Sequence, residues 1–347
     1  MKIAPALFTA LAAAGASGAD WTLGPKSLNY GVGVRVGGGY SDQTPTETLG
    51  LQTLDVRPYI TGQFAPWLKF TGNLDLNHAD NDRIHVLDAI GQFEPTDLFN
   101  VWIGRFLPPS DRANLSGPYY QNAWNFPTTV NAYPSIFAGR DDGAAVWGQI
   151  GKGQIKYQAG VFTLDSSSPP AQAIYAGRVV VNFLDPEPGY YNSSTYYGAL
   201  DVLALGGAVQ YKKTVDPTGV TPERKFIGFN FDLLFEKKII AANVLTIEGA
   251  YYNFDQGNAA ASQGWSAYGL ASWLFADKLG PGRVQPMFRY QHAEGGAALP
   301  GTTKTIDGGI NYILDGHNAR MAFVVQNTMP PTGSSFTGVQ LGLQFQE

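Results

Sequence analysis

Strict alternation of apolar and polar residues runs through almost the whole chain. In the stretch KFIGFNFDLLFE, residues 225–236, Phe229 and Phe231 fall on one face of an extended backbone, and Asn230 and Asp232 fall on the other. Successive side chains of a β-strand point to opposite faces of the sheet, whereas a helix repeats every 3.6 residues. The period of two therefore predicts strands that have one apolar face and one polar face.

Sixteen segments share this alternation or the β-branched and aromatic composition that accompanies it. They are residues 29–40, 51–64, 67–78, 83–93, 98–106, 142–150, 154–164, 174–184, 199–211, 225–236, 243–254, 264–276, 283–292, 304–314, 318–327 and 336–345. The sequence therefore predicts an all-β chain with about sixteen strands.

The links between these segments alternate in length. Links after even-numbered strands are mostly short, such as AP, EPTD, GKG and DGHN, and most links after odd-numbered strands are longer and polar. Residues 107–141, after the fifth strand, form the longest link. The sequence DPEPGYYNSSTYYG after the eighth strand and the short link after the third break the rule. The pattern predicts tight turns at one end of the structure and long loops at the other.

The first nineteen residues have the features of a secretory signal peptide. Lys2 gives a positive start, residues 3–14 are apolar, and Ser17, Gly18 and Ala19 form a small-residue cleavage site. The apolar run is shorter than the roughly 18 residues that a spanning helix needs. An N-terminal anchor helix is the alternative. We expect residues 1–19 to be removed and residues 20–347 to form one domain.

Composition restricts the class of protein further. Charged residues make up 15% of the chain, which is below the roughly 25% of ordinary soluble domains, while aromatic residues make up 13%. The net charge of −5 argues against a nucleic-acid partner, which would need a basic face. The sequence contains no cysteine, so an exported protein of this kind fits a bacterial envelope better than a disulfide-bonded secreted one.

Together these features predict a transmembrane antiparallel β-barrel, integral to the bacterial outer membrane. Such barrels have an even number of strands of about ten residues, with apolar side chains outward, polar side chains inward, and turns of unequal length at the two ends. In lipid every backbone polar group must be satisfied, so a spanning sheet has to close. A soluble β-sandwich, with its apolar faces buried against each other, is the alternative.

Several stretches resemble one family. The segment VWIGRFLPPSD, residues 101–111, resembles the Gly-Arg-Phe-x-x-Pro segment of the phosphate-selective porin O and P family, and AGRDDGAAVWG, residues 138–148, resembles the second Gly-Arg that follows. The stretches IKYQAGVFTLD, VQPMFRYQ and GGINYILDGHNARM resemble later strands of that family. The resemblance implies a sixteen-stranded, homotrimeric outer-membrane channel in which the loop after strand 5 folds inward.

Two features depart from that family. The last residue is Glu347 rather than the terminal aromatic residue that is common in outer-membrane proteins, although Phe345 stands two positions earlier. An arginine- and lysine-rich pore is not evident in the sequence. Phosphate specificity is therefore not carried over.

A channel needs a constriction and charges that bias which solutes pass. We expect the long loop to narrow the lumen and its charges to face basic groups of the wall, which would create a transverse field. The expected pore residues are Arg105, Asp111, Arg112, Arg140, Asp141 and Asp142 of the loop region and Arg57, Lys69, Arg178 and Arg289 of the wall. In the alternative, the loop covers the outer mouth or packs on a neighbouring subunit, and its charges are solvated.

Sequence motifs of enzymes are lacking. The chain has no Gly-x-Ser-x-Gly, and its four histidines show no metal-ligand spacing. We therefore expect no enzyme activity, no cofactor and no metal. The expected partners are the lipid bilayer with its outer-membrane lipids, small hydrophilic solutes or ions, and further copies of the chain. A plugged barrel that acts as a structural or interaction scaffold is the alternative function.

Overall fold

The computed structural model describes residues 24, 26–43, 47–77, 83–131, 139–163, 173–214, 224–255, 263–295 and 301–347. The predicted signal peptide, residues 1–19, lies outside the described residues.

The described chain is built almost entirely of strands. They are β1 (Ser27–Ser41), β2 (Thr48–Ala65), β3 (Leu68–Asn77), β4 (Arg83–Thr96), β5 (Phe99–Phe106), β6 (Asp141–Ile150), β7 (Ile155–Thr163), β8 (Ala173–Asn182), β9 (Val202–Thr214), β10 (Arg224–Lys238), β11 (Val244–Asp255), β12 (Gln263–Leu274), β13 (Lys278–Leu279), β14 (Gly282–Gly295), β15 (Thr302–Asp315), β16 (Ala319–Met329) and β17 (Phe336–Gln346). The two-residue strand β13 belongs to the turn between β12 and β14. The other sixteen match the predicted segments, and each end lies within about three residues of its predicted position.

The sheet is antiparallel and closes on itself. Each long strand pairs with its neighbours in sequence, and β1 pairs with β17 in a register that runs from Gly33 opposite Gln346 to Ser41 opposite Gly338. Closure leaves no unpaired sheet edge between the first and last strands. The prediction of a closed, sixteen-stranded antiparallel barrel is confirmed.

The two faces of the barrel have opposite chemistry. On β10 the side chain of Phe231 is 61% exposed on the outer surface, whereas its neighbour Asp232 is buried inside the barrel. On β16, Met321 and Phe323 are exposed, and Arg320 is fully buried. The outer wall is therefore apolar and the inner wall polar, as the alternation predicts. In the described part of the chain, none of the helices is long and apolar enough to cross a bilayer.

The two ends of the barrel also differ as predicted. Residues 66–67, 97–98, 151–154, 239–243 and 316–318 form short connections at one end, where both termini of the barrel lie, and the longer connections lie at the other end. Residues 183–201, between β8 and β9, are the long connection at the tight-turn end. They fold back into the barrel. The evidence is that the side chains of Glu187, Thr195 and Tyr190 are all buried there.

The long connection between β5 and β6 is residues 107–140, called the long loop below. It contains two short helices, α1 (Arg112–Ser116) and α2 (Thr128–Asn131). Asp111 caps α1, because its carboxylate accepts a hydrogen bond of 3.3 Å from the backbone N–H of Asn114. The described residues of the long loop, 107–131 and 139–140, lie inside the barrel, in contact with inward-facing residues of most strands, so for them the alternative in which the loop covers the outer mouth is wrong.

Candidate functional site in the barrel lumen

Three wall arginines hold the long loop through its backbone carbonyls. Arg35 of β1 donates a hydrogen bond of 2.5 Å to the carbonyl of Trp124, and Arg289 of β14 donates one of 2.9 Å to that of Asn125. Arg320 of β16 donates one of 2.6 Å to the carbonyl of Gln121, with longer contacts to two further carbonyls of the loop. These guanidinium groups therefore fix the position of the loop, since each gives at least one donor to its main chain.

A buried ion network joins the long loop to the 183–201 segment. Arg112 donates two hydrogen bonds of 2.7 Å to the carboxylate of Glu187 and a third, also of 2.7 Å, to the carbonyl of Ser193. Its Nε lies 3.9 Å from Asp232, which pairs with Arg178 at 2.5 Å. Burial alone would raise the pKa of Glu187, but the Arg112 guanidinium overcomes that effect and holds the pKa at about 2.

Asp111 lies in the same buried region but has a different environment. Its carboxylate accepts a hydrogen bond of 2.7 Å from the hydroxyl of Tyr252 on β11. Burial raises the pKa of Asp111 to about 7, which the hydrogen bond from Tyr252 opposes and the nearby Asp232 reinforces. Asp111 is therefore protonated more readily than a solvent-exposed aspartate.

Apolar side chains fill the part of the lumen beside β4–β8. This apolar cluster packs inward-facing wall residues against the long loop and the 183–201 segment. Its members are Ile90, Trp102, Phe106, Leu107, Leu115, Ala145, Trp147, Phe162, Ile174, Ala176 and Tyr190. The rings of Trp102 and Tyr190 stack with their centroids 4.5 Å apart. This side of the lumen is a packed core.

A cavity lies against the wall formed by β2–β4. This cavity of about 750 Å³ separates that wall from the long loop and the 183–201 segment. Polar wall residues that line it include Arg57, Tyr59, Thr71, Asn73 and Asp88. Among the described residues, the inward-folded segments therefore form the inner side of this cavity and the β2–β4 wall forms its outer side.

The two arginines at this cavity are paired. The Nε of Arg57 lies 2.8 Å from Asp75, and the Nε of Arg140 lies 2.9 Å from Asp88. Asp88 also accepts a hydrogen bond of 2.5 Å from the amide of Asn73. Each arginine is thus paired with a carboxylate of the β2–β4 wall, which weakens the field that the arginines alone would produce across the cavity.

Of the ten expected pore residues, only Arg57 and Arg140 line the cavity. Arg112, Arg178 and Arg289 are inside the barrel but are buried in ion pairs that hold the loop and wall together, and Asp111 caps α1. Asp141 is buried at the start of β6, where its carboxylate accepts a hydrogen bond of 2.7 Å from the backbone N–H of Asp142. Lys69 pairs with Glu94 at 2.7 Å near the tight-turn end.

The placement of Arg105 and Asp142 in the pore requires correction. They lie opposite each other on β5 and β6 and form two hydrogen bonds of 2.7 and 2.8 Å. Their side chains are 44% and 45% exposed on the outer surface of the barrel, because the inward positions of β5 are Trp102, Gly104 and Phe106. The pair therefore lies on the opposite side of the wall from the lumen.

Sequence reasoning did not identify the aromatic residues of the cavity. Tyr59, Tyr119, Tyr120, Tyr191 and Tyr196 all line it. The sequence signal that was available is the unusual link after the eighth strand, which carries paired tyrosines and exceeds the length of a tight turn. Among the described residues, no group of three or more His, Asp or Glu side chains is placed to hold a metal ion.

The fold is similar to those of solved outer-membrane proteins. The anion-selective porin from Comamonas acidovorans superposes with a TM-score of 0.62 at 14% identity, over 93% of this chain and 100% of that one. OmpF of Salmonella typhi, in complex with daunomycin, gives 0.62 at 10% identity, over 92% and 97% of the two chains. OprB of Pseudomonas putida gives 0.59 at 10% identity, over 93% and 94%.

No family model matches the chain, and no curated protein matches it in sequence. At identities of 14% or less the structural likeness establishes the fold alone. The expected likeness to porins is therefore confirmed as a likeness of fold, and these comparisons do not extend it to the phosphate-selective porin O and P family.

Proposed function

We propose that this protein is a porin of the bacterial outer membrane, through which small hydrophilic solutes or ions diffuse passively. The observation that carries the proposal is the cavity of about 750 Å³, lined by polar wall residues, inside a closed barrel with an apolar exterior. The outer wall suits lipid, since charged residues there would each cost roughly 2–4 kcal/mol at the bilayer midplane. The solute path runs between the β2–β4 wall and the long loop.

Arg57 and Arg140 are the residues of the expected set that we retain for this path, with Asp75, Asp88 and Asn73 added. They narrow and shape the cavity without giving it a net charge. Of the other expected cations, Arg112, Arg178 and Arg289 hold the inward segments in place. This division of roles is part of the proposal, as is the absence of any enzyme activity.

We propose that the chain shares the barrel architecture of the phosphate-selective porin O and P family, and no further property of that family. Strand number and the inward loop after the fifth strand support it, together with the sequence stretches that resemble that family. A homotrimer is also proposed, in line with one structural neighbour, OmpT of Vibrio cholerae, which is described in a trimer form. Phosphate selectivity is not proposed, because the arginines at the cavity are already paired with carboxylates.

A second candidate function is a plugged barrel that serves as a scaffold. The observation that favours it is the extent of the filling, since the long loop and the 183–201 segment are buried against each other and against most of the wall. Planar-bilayer recordings of the refolded full-length protein separate the two. Discrete current steps are expected for the porin, and their grouping in threes for the trimer. Folded, inserted protein that gives no current steps would contradict the porin and support the scaffold function.

A further inference from the structure

One patch of the outer wall is less suited to lipid than the rest of that wall. It consists of the outward, exposed side chains of Ala89 on β4, Ile103 and Arg105 on β5, and Asp142 and Ala144 on β6, and is called the outer patch below. We propose that the outer patch is a contact surface between subunits, covered by a second copy of the chain. This inference deepens the proposed function and rests on the homotrimer proposed there.

The outer patch carries an ion pair at the level of the apolar belt. Arg105 stands six residues from the tight-turn end of β5 at Phe99, and Asp142 stands eight residues from that of β6 at Ile150. On other strands, the exposed outward side chains six or seven residues from the tight-turn end are apolar or aromatic, namely Tyr175, Val209, Phe231, Tyr251 and Phe288. A charged side chain at this depth is unfavourable in contact with lipid tails.

Outward lysines on other strands lie closer to the long-loop end of the barrel. Lys213 stands eleven residues from the tight-turn end of β9, Lys225 stands thirteen from that of β10, and Lys304 stands eleven from that of β15. These three positions fit the level of the lipid headgroups, where a charge is solvated. The pair of Arg105 and Asp142 lies several residues deeper and needs a different environment.

The short length of β5 points to the same conclusion. This strand has 8 residues, fewer than the roughly 9–11 that a strand needs to cross the hydrocarbon core, whereas β10 has 15. After Phe106 the chain leaves the wall as the long loop. Irregular backbone within the hydrocarbon region is found only where protein or water covers it, so protein is expected to cover the outer side of the wall here.

The charges of the outer patch favour a second copy of the chain as its cover. Among the described residues, Arg105 uses two of its five N–H donors for Asp142, which leaves three. A patch that holds a cation with remaining donors beside an anion is complementary to a rotated copy of itself. In a cyclic trimer, each guanidinium would face oxygen atoms of the neighbouring copy. The pair would be covered only in the assembled trimer and stays exposed in the separate subunit.

Small side chains beside the ion pair allow a neighbouring wall to approach closely. Ala89 lies opposite Arg105 across the sheet, and Ala144 lies opposite Ile103, so the two alanines flank the pair. The outer face of β10 differs, because it projects large rings such as Phe231. A second barrel wall can therefore pack against the outer patch more closely than against the β10 face, which suits lipid.

The test attaches a nitroxide to a single introduced cysteine in the full-length protein, refolded into phosphatidylcholine vesicles. Ile103→Cys places the label in the outer patch, and Phe231→Cys places it on β10. The two side chains are matched, since they are 58% and 61% exposed in the subunit. Paramagnetic resonance then measures collisions of each label with dissolved oxygen, which concentrates in lipid, and dipolar broadening between the labels of different copies.

We expect the label at position 103 to lose most of its oxygen collisions relative to the label at position 231. Its spectrum should also be broadened, and the broadening should disappear when labelled protein is diluted with an excess of unlabelled protein before assembly. The label at position 231 should collide freely with oxygen and show no broadening.

A second variant tests the outer patch without a label. Ala144→Trp places a large ring in the patch, so the trimer detected by chemical cross-linking should be lost while the conductance of each pore is unchanged. Ala271→Trp is the matched control, because Ala271 is an exposed alanine of the outer surface of β12, and its trimer should persist. Unchanged conductance shows that each variant is folded.

The outcomes separate this inference from the proposed function. A trimer whose label at position 103 is as open to oxygen as that at position 231, or a trimer that persists in Ala144→Trp, would overturn the outer patch as the contact surface and leave the trimer. Shielding from oxygen without broadening would overturn a second copy as the cover. Monomeric protein that gives current steps would overturn the trimer and this inference but leave the porin.

Discussion

The two sides of the lumen are built from the same kinds of side chain but differ in what those side chains do. Beside β8–β12, Arg112 and Arg178 are 0–1% exposed and lie in a network with Glu187 and Asp232. Beside β2–β4, Arg57 and Arg140 are 17–19% exposed and face the cavity. The difference teaches that an inward arginine in a barrel is not by itself a pore residue.

Energetics explain this division. Removing one partner of a fully buried ion pair costs about 3–5 kcal/mol, because a charge is left without compensation. An exposed pair contributes only about 0–1 kcal/mol. Buried pairs can therefore hold two inward segments against the wall, whereas the partly exposed pairs at the cavity chiefly set the charge that a passing solute meets.

The largest effect is expected from Arg112→Met. The substitution leaves Glu187 and Asp232 without their shared cation, so the long loop should separate from the 183–201 segment. We expect a higher and less steady single-channel conductance, together with a loss of about 3–5 kcal/mol in the free energy of unfolding measured with denaturant.

Arg105→Met is the matched control for that experiment. Arg105 pairs with Asp142 on the outer surface, so conductance should not change and the free energy of unfolding should change by no more than about 1 kcal/mol. Equal effects of the two substitutions would contradict the division between buried and exposed pairs.

Arg57→Gln tests the charge balance at the cavity. The substitution removes a positive charge and leaves Asp75 unpaired, so the channel should become selective for cations. The reversal potential in a KCl gradient measures this change directly. Arg178→Gln also removes an inward positive charge, but on the filled side of the lumen, and we expect a smaller shift of the reversal potential. A larger shift of the reversal potential from Arg178→Gln than from Arg57→Gln would contradict a solute path along β2–β4.

A smaller effect is expected from Gly33→Ala. The new methyl group would lie 2.7 Å from the ring of Tyr119, so the ring has to move into the cavity. We expect a lower conductance with little change in stability. Gly269→Ala is the control, because no heavy atom lies within 4 Å of the added Cβ, and its conductance should equal that of the unmodified protein.

The smallest effect concerns the pH dependence of the inward segments. His317, in the turn between β15 and β16, has its ring nitrogens 3.2 Å from the carbonyl of Tyr119 and 2.9 Å from that of Thr195, so it touches both inward segments. Burial, together with the charge of Arg320, lowers the pKa of His317 to about 4. The stability that neutral His317 contributes is fully present above pH 6.5 and is lost as the pH falls through about 4.

The contribution of Asp111 to stability changes with pH in the opposite direction to that of His317, over the same pH range. Its pKa is raised to about 7, so its contribution is fully present below pH 3.8 and is lost as the pH rises through 7. Two variants separate the effects. In Asp111→Asn, current fluctuations should increase as the pH falls from 6.5 to 4, and in His317→Gln they should decrease over that range. The same pH profile in both variants would show that neither group holds the inward segments.

The strands could be predicted closely from the sequence because alternation is a local property. Each strand shows its own period of two, and the apolar exterior of the barrel makes that period visible in segments such as residues 225–236. The long loop was predicted from its length alone. Closure of the barrel followed from the requirement that a sheet in lipid has no free edge.

The site was predicted less well because its contacts join residues far apart in sequence. Arg112 meets Glu187 and Asp232, which lie 75 and 120 positions away. No local pattern identifies such partners. Arg105 was misplaced for a different reason, since Val101, Trp102 and Ile103 are all apolar and alternation does not define an inner face for β5. The inner face there is apolar because it packs on the apolar cluster.

The central claim, that the path runs along β2–β4 and not through the other side of the lumen, can be tested with introduced cysteines. The chain has no cysteine of its own, so each introduced thiol is unique. Thr71 on β3 lines the cavity, and Thr246 on β11 is fully buried on the filled side.

A charged methanethiosulfonate reagent is added during single-channel recording. In Thr71→Cys the reagent should react rapidly and reduce the current, and in Thr246→Cys the current should persist unchanged. Rapid reduction of the current in Thr246→Cys, with Thr71→Cys unaffected, would contradict the account.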